Sequence, residues 1–589
     1  RCLFLSIKNG IKHDHKKNDY DKIINLLFHN SIDQLVHGHP GVQCRNIINI
    51  PTCKDGHNIQ LIKSVMKDSM VRVFRFSLCL FSGLALFVNF GCGKQSHSTQ
   101  SDSLVYLMYN DVKDWDPASA FSLEILPMSN IYEPLLWYDA SEGESKFIPA
   151  LATSYSKSAD GLRWTFYLRD KVKFHDGQIC DANAVKISIE RTKEIGEGAG
   201  FIWEPLDYIE IVDELTIVFH LKYSAPLDLI VSAQYGAWIY SPRLAEMNRD
   251  SIRIGFAAGT GPYMLSKWVQ NQNIILEAND DYWRGFSEKS FRKINLRVIS
   301  ESATRIQMIK GGDADICSLI PIEALSSFDQ HPELEVRLFP SFVNHLLILN
   351  VDKPPTNDIR IRQAIASALD YQSIIDNIYN GVANKPTGLI PQSLSGISPP
   401  EKRYKFDLKI AEKLVEQSEI NKENSIKLSY VASSNEYWKT CIMLQANCRK
   451  IGLRVDLHAG LWSEIWSNAR RFETSPNIIE MAWWPTYASP SDWFFNMFGT
   501  QDPPLFNLSY YSNTTVDSLI QVAKKMEATH REKSFEIYSE IQSKLINDCV
   551  VIPIADLNAW IITKKNLIGF RNNPAYATIL FHGLERSSN

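Results

Sequence analysis

IPALATSYSKSADGLRWTFYLRDKVKFHDG, residues 148–177, carries the pattern that decides the fold. The dipeptide Asp160-Gly161 is typical of a tight turn, and apolar and polar residues alternate in the segment that follows it. Alternation places one set of side chains on each face of a strand. The segment therefore predicts an antiparallel pair of strands joined at Asp160-Gly161.

Strand-like and helix-like segments alternate along the rest of the chain. Short runs of β-branched or alternating residues predict strands at 103–109, 162–169, 215–221, 274–278, 294–299, 345–351 and 426–431. Apolar residues at three- and four-residue spacing predict helices at 359–371, 407–416, 437–451 and 516–546. In the loop before the first of these, Asn357 or Asp358 is expected to cap the helix. These elements predict an α/β protein with mixed sheets flanked by helices.

Length and composition limit the possible functions. The chain has 589 residues, of which 45% are hydrophobic and 22% charged, so it can bury a sizeable core in about three domain-sized units. No low-complexity linker separates them, which suggests that the chain crosses between domains through short structured connections. The formal net charge of -4 gives no basic surface for phosphates, so we expect no nucleic acid partner.

A targeting segment lies near the start of the sequence. Basic residues precede the uncharged run FSLCLFSGLALFVNF, residues 76–90, which is too short for a membrane span but typical of a secretion signal. Residues 66–91 resemble a bacterial lipoprotein signal, which implies that a lipid on Cys92 anchors the protein. Since such a signal begins a protein, we expect translation to start at Met66 or Met70, and residues 1–65 to be a non-native or disordered upstream segment.

Signatures of catalysis and of metal binding are missing from the sequence. It holds no GxSxG, HExxH or GxxxxGK[ST] motif, and its His and Cys residues lack zinc-ligand spacing. We therefore expect neither catalytic residues nor a metal or cofactor. The glycine-rich runs at 196–200 and 259–263 are interpreted as turns, and the five cysteines after Cys92 as buried small hydrophobes.

Six segments, in order, resemble one family. They are residues 148–177, GTGPYMLSKW (259–268), NDDYWRG (279–285), LNVDKPPTNDIRIRQAIASALD (349–370), YYSNTTVDSLI (510–520) and VVIPI (550–554). Together they are similar to the extracellular solute-binding proteins, family 5, which include the oligopeptide- and dipeptide-binding proteins of peptide-type ABC transporters.

This resemblance implies a two-lobed, periplasmic-binding-protein-like fold with an extra subdomain and a ligand cleft between hinged lobes. Lobe one would comprise residues 92–346, with a smaller subdomain at about 140–250, and the returning segment 548–589. Lobe two would comprise residues 347–547. The implied protein is a monomer and not an enzyme. It would capture small peptides or peptide-like solutes and deliver them to an ABC permease from the periplasm or cell surface.

The aromatic stretch MAWWPTYASPSDWFFNM, residues 481–497, supplies the main candidates for the ligand site. In oligopeptide-binding members, a WxADYxxP segment lies at the cleft and its Asp pairs with the peptide α-amino group. Here the matching segment is WWPTYASP, with Thr486 in place of the Asp. The resemblance thus puts ordinary recognition of an α-amino group in doubt, while Asp492 or Glu480 are alternative sources of negative charge.

The rings of this stretch are expected to serve two purposes. Trp483, Trp484 and Tyr487 would line the cleft as flat apolar surfaces, whereas Trp493 and the two phenylalanines after it would begin a helix in the core of lobe two. On lobe one, further candidates for ligand contact are Ser122, Leu123 and Glu124. The spacing of apolar residues in 130–136 predicts a packed helix beside them.

Two alternatives to a peptide ligand stay open. The same fold could bind a metal chelate, an oligosaccharide or an opine-like compound, which the missing carboxylate at Thr486 would allow. A lipoprotein with hydrolase or chaperone-like activity is a remote alternative that no motif supports.

Overall fold

The computed structural model describes residues 102–587, except 123, 142–145, 395, 419–424, 572 and 577. The expectations for the upstream segment, the signal and Cys92 therefore lie outside the described residues. Within the described part of the chain, no helix is long and apolar enough to cross a membrane.

The elements alternate between strands and helices along the described chain. The strands are β1 Ser103–Met108, β2 Leu136–Asp139, β3 Lys146–Pro149, β4 Ala152–Lys157, β5 Arg163–Leu168, β6 Leu206–Asp213, β7 Thr216–Leu221, β8 Tyr263–Val269, β9 Asn273–Ala278, β10 Lys293–Val298, β11 Ile316–Ser318, β12 Leu334–Leu349, β13 Ala383–Asn384, β14 Ser425–Val431, β15 Arg454–Gly460, β16 Ile478–Trp483, β17 Val551–Lys564, β18 Leu567–Ile568 and β19 Glu585–Arg586. The helices are α1 Ile125–Ile131, α2 Ala182–Ile195, α3 Leu227–Ile230, α4 Pro242–Ala245, α5 Arg249–Arg253, α6 Ser302–Lys310, α7 Ile322–Leu325, α8 Ile359–Ala368, α9 Tyr371–Ser373, α10 Leu408–Glu416, α11 Asn435–Lys450, α12 Trp462–Ala469, α13 Pro490–Phe498, α14 Thr514–Met526 and α15 Arg531–Asn547.

Residues 148–177 supply an edge strand, β4, and an inner strand, β5, of a four-stranded antiparallel sheet. Strands β4 and β5 pair with Lys157 opposite Trp164, and the sheet order is β4-β5-β7-β6. Gly161 has φ +71° in the connecting turn, a conformation that favours glycine. Trp164 and Phe166 are fully buried on one face. The predicted antiparallel pair is confirmed.

A second, eleven-stranded sheet runs through both lobes. Its main order is β15-β14-β16-β12-β17-β11-β1-β10-β9-β8, with β13 paired to β17 outside this path. Strands β1, β10 and β11 are parallel neighbours, whereas β12 and β17 are antiparallel to each other. Mixed pairing of this kind agrees with the predicted α/β class.

The long strands β12 and β17 connect the two lobes. The first part of β12 pairs with the second part of β17, which also pairs with β11 of lobe one. The last part of β12 pairs with β16 of lobe two. The register between β12 and β17 shifts between Pro340 and Asn344. Because a bulge interrupts the hydrogen-bond ladder and bends the strand, this position suits a hinge.

Most predicted elements agree with the structure, with two corrections. The predicted helix at 516–546 is two helices, α14 and α15, because the chain leaves the helical path between Met526 and Arg531. The predicted helix at 130–136 is wrong: α1 ends at Ile131, and Leu136 begins β2. Pro134 lacks the amide hydrogen that a continuing helix would need.

Caps, turns and cysteines agree with their sequence signals. Asp358 caps α8, since its carboxylate accepts a hydrogen bond from the Arg360 amide at 2.8 Å. Gly196 ends α2 in a left-handed conformation. A Cβ atom at Gly259 would lie 2.0 Å from the carbonyl oxygen of Ile131, so this turn packs directly on the end of α1. The described cysteines are all free and buried: Cys180, Cys317, Cys441, Cys448 and Cys549.

Candidate functional site: the region between the lobes

The aromatic stretch divides into a strand, a loop and a helix. Strand β16 ends at Trp483 and helix α13 begins at Pro490, so residues 484–489 form a short loop. Ser489 caps the helix by accepting a hydrogen bond from the Ser491 amide at 3.0 Å, and proline is well suited to the first helical position. Local sequence therefore fixes where the loop ends.

The rings of the helix belong to the core of lobe two, as the sequence predicts. Trp493 and Phe494 are fully buried, and Phe494 stacks on Tyr538 at 5.4 Å between ring centroids. Phe495 is only partly buried, and the ammonium of Lys524 lies 3.8 Å from its ring centroid. Trp493 and Phe494 therefore anchor helix α13 in the core.

The three rings expected to line the cleft have different surroundings. Trp483 is 8% exposed and packs edge-on against Phe506 in the core of lobe two, because the alternation of β16 turns it to that face. Trp484 is 43% exposed. Tyr487 is partly buried, contacts hydrophobic clusters of both lobes and shares a hydrogen bond with the Ser491 hydroxyl. Trp484 and Tyr487 are thus the rings that the loop presents.

Glu480 lies on the opposite face of β16, inside lobe two. Its carboxylate is 2.8 Å from Nε2 of His345 and accepts a hydrogen bond from the thiol of Cys441 at 2.5 Å. His345 Nδ1 in turn lies 2.8 Å from the Tyr379 hydroxyl. Glu480 and His345 are fully buried, and burial raises the pKa of Glu480. The carboxylate is therefore engaged within the core and does not face the loop.

Asp492 holds the loop rather than facing open space. One of its carboxylate oxygens accepts a hydrogen bond from the Thr486 amide at 3.1 Å, and the other accepts one from Asn496 Nδ2 at 3.0 Å. Burial raises the pKa of Asp492 to about 7, although these hydrogen bonds oppose the shift. The side chain of Thr486 is also buried.

One polar contact from lobe one reaches this loop. Gln234 Nε2 donates a hydrogen bond to the carbonyl of Pro485 at 3.2 Å. Farther along the same face, Arg531 of lobe two pairs with Asp228 of lobe one at 2.7 Å. The two lobes are therefore in direct contact.

Two lysines extend this contact surface. Lys524 lies 3.8 Å from the carboxylate of Glu204, and Lys157 donates a hydrogen bond to the carbonyl of Ala528. Sequence reasoning identified none of these contacts between the lobes. Each joins residues that are hundreds of positions apart, so no local pattern could have revealed them.

The candidates on lobe one lie just before helix α1. Ser122 is exposed, Leu123 lies outside the described residues, and Glu124 is 3% exposed. One carboxylate oxygen of Glu124 accepts a hydrogen bond from the Lys113 amide at 3.1 Å, and the other is buried without a hydrogen-bond partner. The Tyr235 hydroxyl donates to the Ser122 carbonyl. Burial and the nearby charge of Glu124 raise the pKa of Tyr235.

Metal-ligating side chains do not converge within the described part of the chain. No group of three or more His, Cys, Asp or Glu residues in it is arranged to hold a metal ion.

Comparison with protein families identifies the fold and its general role. A family model described as bacterial extracellular solute-binding proteins, family 5, matches residues 146–504. The chain belongs to this family. This family 5 protein is therefore a solute-binding protein, and its two-lobed architecture is the one that binds a solute between the lobes.

The alignments with similar proteins cover most of this chain and most of each relative. The probable D,D-dipeptide-binding periplasmic protein DdpA of Escherichia coli K12 is 28% identical over 454 residues, which cover 75% of this chain and 86% of the relative. The nickel-binding periplasmic protein of the same strain is 25% identical over 505 residues, covering 82% and 94%. DppA from Helicobacter pylori, solved in complex with the peptide STSA, has a TM-score of 0.72 and 23% identity, covering 82% and 98%. At that identity, the likeness of this family 5 protein to DppA shows the fold alone.

Proposed function

We propose that this chain is the substrate-binding component of an ABC importer. It captures peptides or peptide-like solutes between its lobes and delivers them, as a monomer and without a covalent step, to a membrane permease. The observation that carries the proposal is the loop 484–489. It presents a half-exposed tryptophan, and lobe one closes over the adjacent Pro485 carbonyl. Membership of family 5 and a relative named as a dipeptide-binding protein support the peptide class.

The ligand-contact residues proposed on lobe two are Trp484 and Tyr487, with Thr486 between them. A flat ring can cover a peptide plane or an apolar side chain, and its face attracts cations. Lobe one would contribute the segment Ser122 to Glu124. Mass spectrometry of solute that co-purifies with the protein tests the ligand class directly.

Replacing Trp484 with alanine is expected to lower affinity for a library of free peptides of two to six residues by about 30-fold. Loss of a central aromatic contact costs about 2 kcal/mol or more in well-packed interfaces. Titration calorimetry of both proteins with the library gives the ratio. The free energy of unfolding should change by less than about 0.5 kcal/mol, because the ring is half exposed.

Trp438→Ala is the matched control, since Trp438 on helix α11 is 46% exposed, like Trp484. Peptide affinity should be unchanged in this variant. Equal losses in both variants would contradict a ligand role for Trp484.

A non-peptide solute is the second candidate ligand, favoured by the neutral Thr486 in the loop. A metal chelate, an oligosaccharide or an opine-like compound would not need a carboxylate at that position, and one relative is named as nickel-binding. A ligand at about 100 times its Kd stabilises the protein by about 2.7 kcal/mol, so thermal-shift screening separates the classes. Stabilisation by a chelate or sugar, with no response to free peptides, would favour this second candidate.

The protein is further proposed to be anchored to a bacterial membrane by a lipid on Cys92. The short uncharged run at 76–90, with basic residues before it, supports a lipoprotein signal. Cys92→Ser should abolish incorporation of labelled palmitate in a bacterial host. Cys79→Ser, in the same run, should leave it intact, and label that survives Cys92→Ser would contradict the anchor.

A further inference from the structure

The carboxylates that the sequence and the structure place on or near the loop of lobe two are already engaged. Glu480 pairs with His345 and Cys441 inside the core, and Asp492 accepts two hydrogen bonds that fix the loop. Glu527 accepts a hydrogen bond from the Ser489 hydroxyl at 2.6 Å and another from Tyr538 at 3.3 Å. Glu480 Oε1 has no hydrogen bond but lies 2.8 Å from His345 Nε2 as an ion pair deep in the core, and the other oxygens of these side chains accept hydrogen bonds. With Thr486 neutral, these side chains leave no free carboxylate on the loop.

On lobe one, the carboxylate of Glu124 is only half satisfied. It accepts a hydrogen bond from the Lys113 amide, and its second oxygen is buried with neither a hydrogen-bond donor nor a cation beside it. Although Glu124 immediately precedes helix α1, its side chain does not cap that helix. An unpaired buried carboxylate oxygen is costly, and such groups in native proteins call for a partner.

Two hydrogen bonds link the segment just before Glu124 to the loop of lobe two. The Ser122 carbonyl, two residues before Glu124, accepts a hydrogen bond from the Tyr235 hydroxyl. The neighbouring residue, Gln234, donates to the Pro485 carbonyl, directly before Thr486. Glu124 and Thr486 are therefore on opposite lobes beside one contact region.

We infer that Glu124 receives a cationic nitrogen of the solute, so that charge selectivity comes from lobe one instead of position 486. The ammonium would donate to the unpaired carboxylate oxygen, which is enclosed when the lobes close. A charge-assisted hydrogen bond of this kind is stronger than a neutral one. The inference rests on the proposed function, and the ligand class it names is a solute with a free, protonated amine.

The test compares free and N-acetylated forms of one defined library of di- to pentapeptides, measured by native mass spectrometry and calorimetry. The wild-type protein should prefer the free-amine library by about 10- to 100-fold, the range for a hydrogen bond to a charged group. Glu124→Gln should reduce that preference to within about twofold, because it keeps the shape and removes the charge. A purely structural role for Glu124 would weaken both libraries equally and leave the preference unchanged.

Asp556→Asn is the matched control. Asp556 on β17 is also buried, accepts one hydrogen bond from the Gln392 amide, and has one unpaired oxygen. Its variant should retain the wild-type preference for free amines.

The remaining outcomes separate the inference from the proposed function. If Glu124→Gln still prefers free amines, the role of Glu124 is overturned. The same holds if Asp556→Asn loses that preference. Equal binding of both libraries by the wild-type protein would overturn that role and leave peptide binding intact. Binding of neither library would overturn the proposed peptide function and the inference with it.

Discussion

Replacing Arg531 with methionine is expected to weaken the contact between the lobes, to favour a more open arrangement and to lower affinity for solute by about 100-fold. Arg531 pairs with Asp228 across the lobes at 2.7 Å, and Asp228 is 4% exposed. Without the cation, the buried Asp228 carboxylate keeps its hydrogen bond from the Leu229 amide at 2.9 Å but has no counter-charge while the lobes are in contact. Breaking buried pairs costs about 3–5 kcal/mol, and the lower end applies because Arg531 is partly exposed.

Small-angle X-ray scattering with and without the peptide library measures closure, and calorimetry measures affinity. The double variant Asp228→Asn/Arg531→Met should recover the part of the loss that comes from Asp228, whereas buried Glu527, whose charge Arg531 also favours, keeps the rest. Arg360→Met removes a 2.7 Å ion pair to Asp358 that lies entirely within lobe two, and it should leave closure unchanged. If Arg531→Met lowers the unfolding free energy while scattering and affinity stay as in the wild type, the pair does not act on closure.

Much of the fold follows from local sequence. The turn at Asp160-Gly161, the alternation after it and the cap at Asp358 are each specified by a few neighbouring residues, and each is present in the structure. Strand β12 shows the limit of this reasoning. Only its last part was predicted from sequence, because the first part is defined by pairing with β17, more than 200 residues later.

The candidate site is less predictable for a physical reason. The sequence singled out Glu480, Asp492 and Glu124 as charged groups, but their roles depend on partners that the fold brings to them. Glu480 meets His345 across two paired strands, and Asp492 turns back to the Thr486 amide. The contact of Arg531 with Asp228 spans 303 positions in the chain. The partner of each buried carboxylate is known only once the chain is folded. Composition and residue spacing therefore cannot predict which carboxylates are engaged.

Asp492→Asn is expected to stabilise the protein above about pH 7 and to reduce the dependence of its stability on pH. Burial raises the pKa of Asp492 from 3.8 to about 7 in the folded protein. Between these values the folded state binds more protons than the unfolded state, so the free energy of unfolding falls as pH rises. The slope for one such group is up to about 1.4 kcal/mol per pH unit. Its stabilising contribution is complete below about pH 4 and is lost as pH rises to about 7.

Urea unfolding at pH 5, 6, 7 and 8 measures this slope. Burial also raises the pKa values of Glu527 and Asp556 to about 7 and those of Glu133 and Glu480 above their usual range, so Asp492→Asn should remove part of the wild-type slope. The amide can still accept the Thr486 hydrogen bond, which keeps the loop in place. Asp170→Asn, at an exposed acid, changes the net charge equally and should leave the slope as it is. A slope in Asp492→Asn equal to that of the wild type would mean that Asp492 does not titrate in this range, and the loop would then be held by a carboxylate that stays charged.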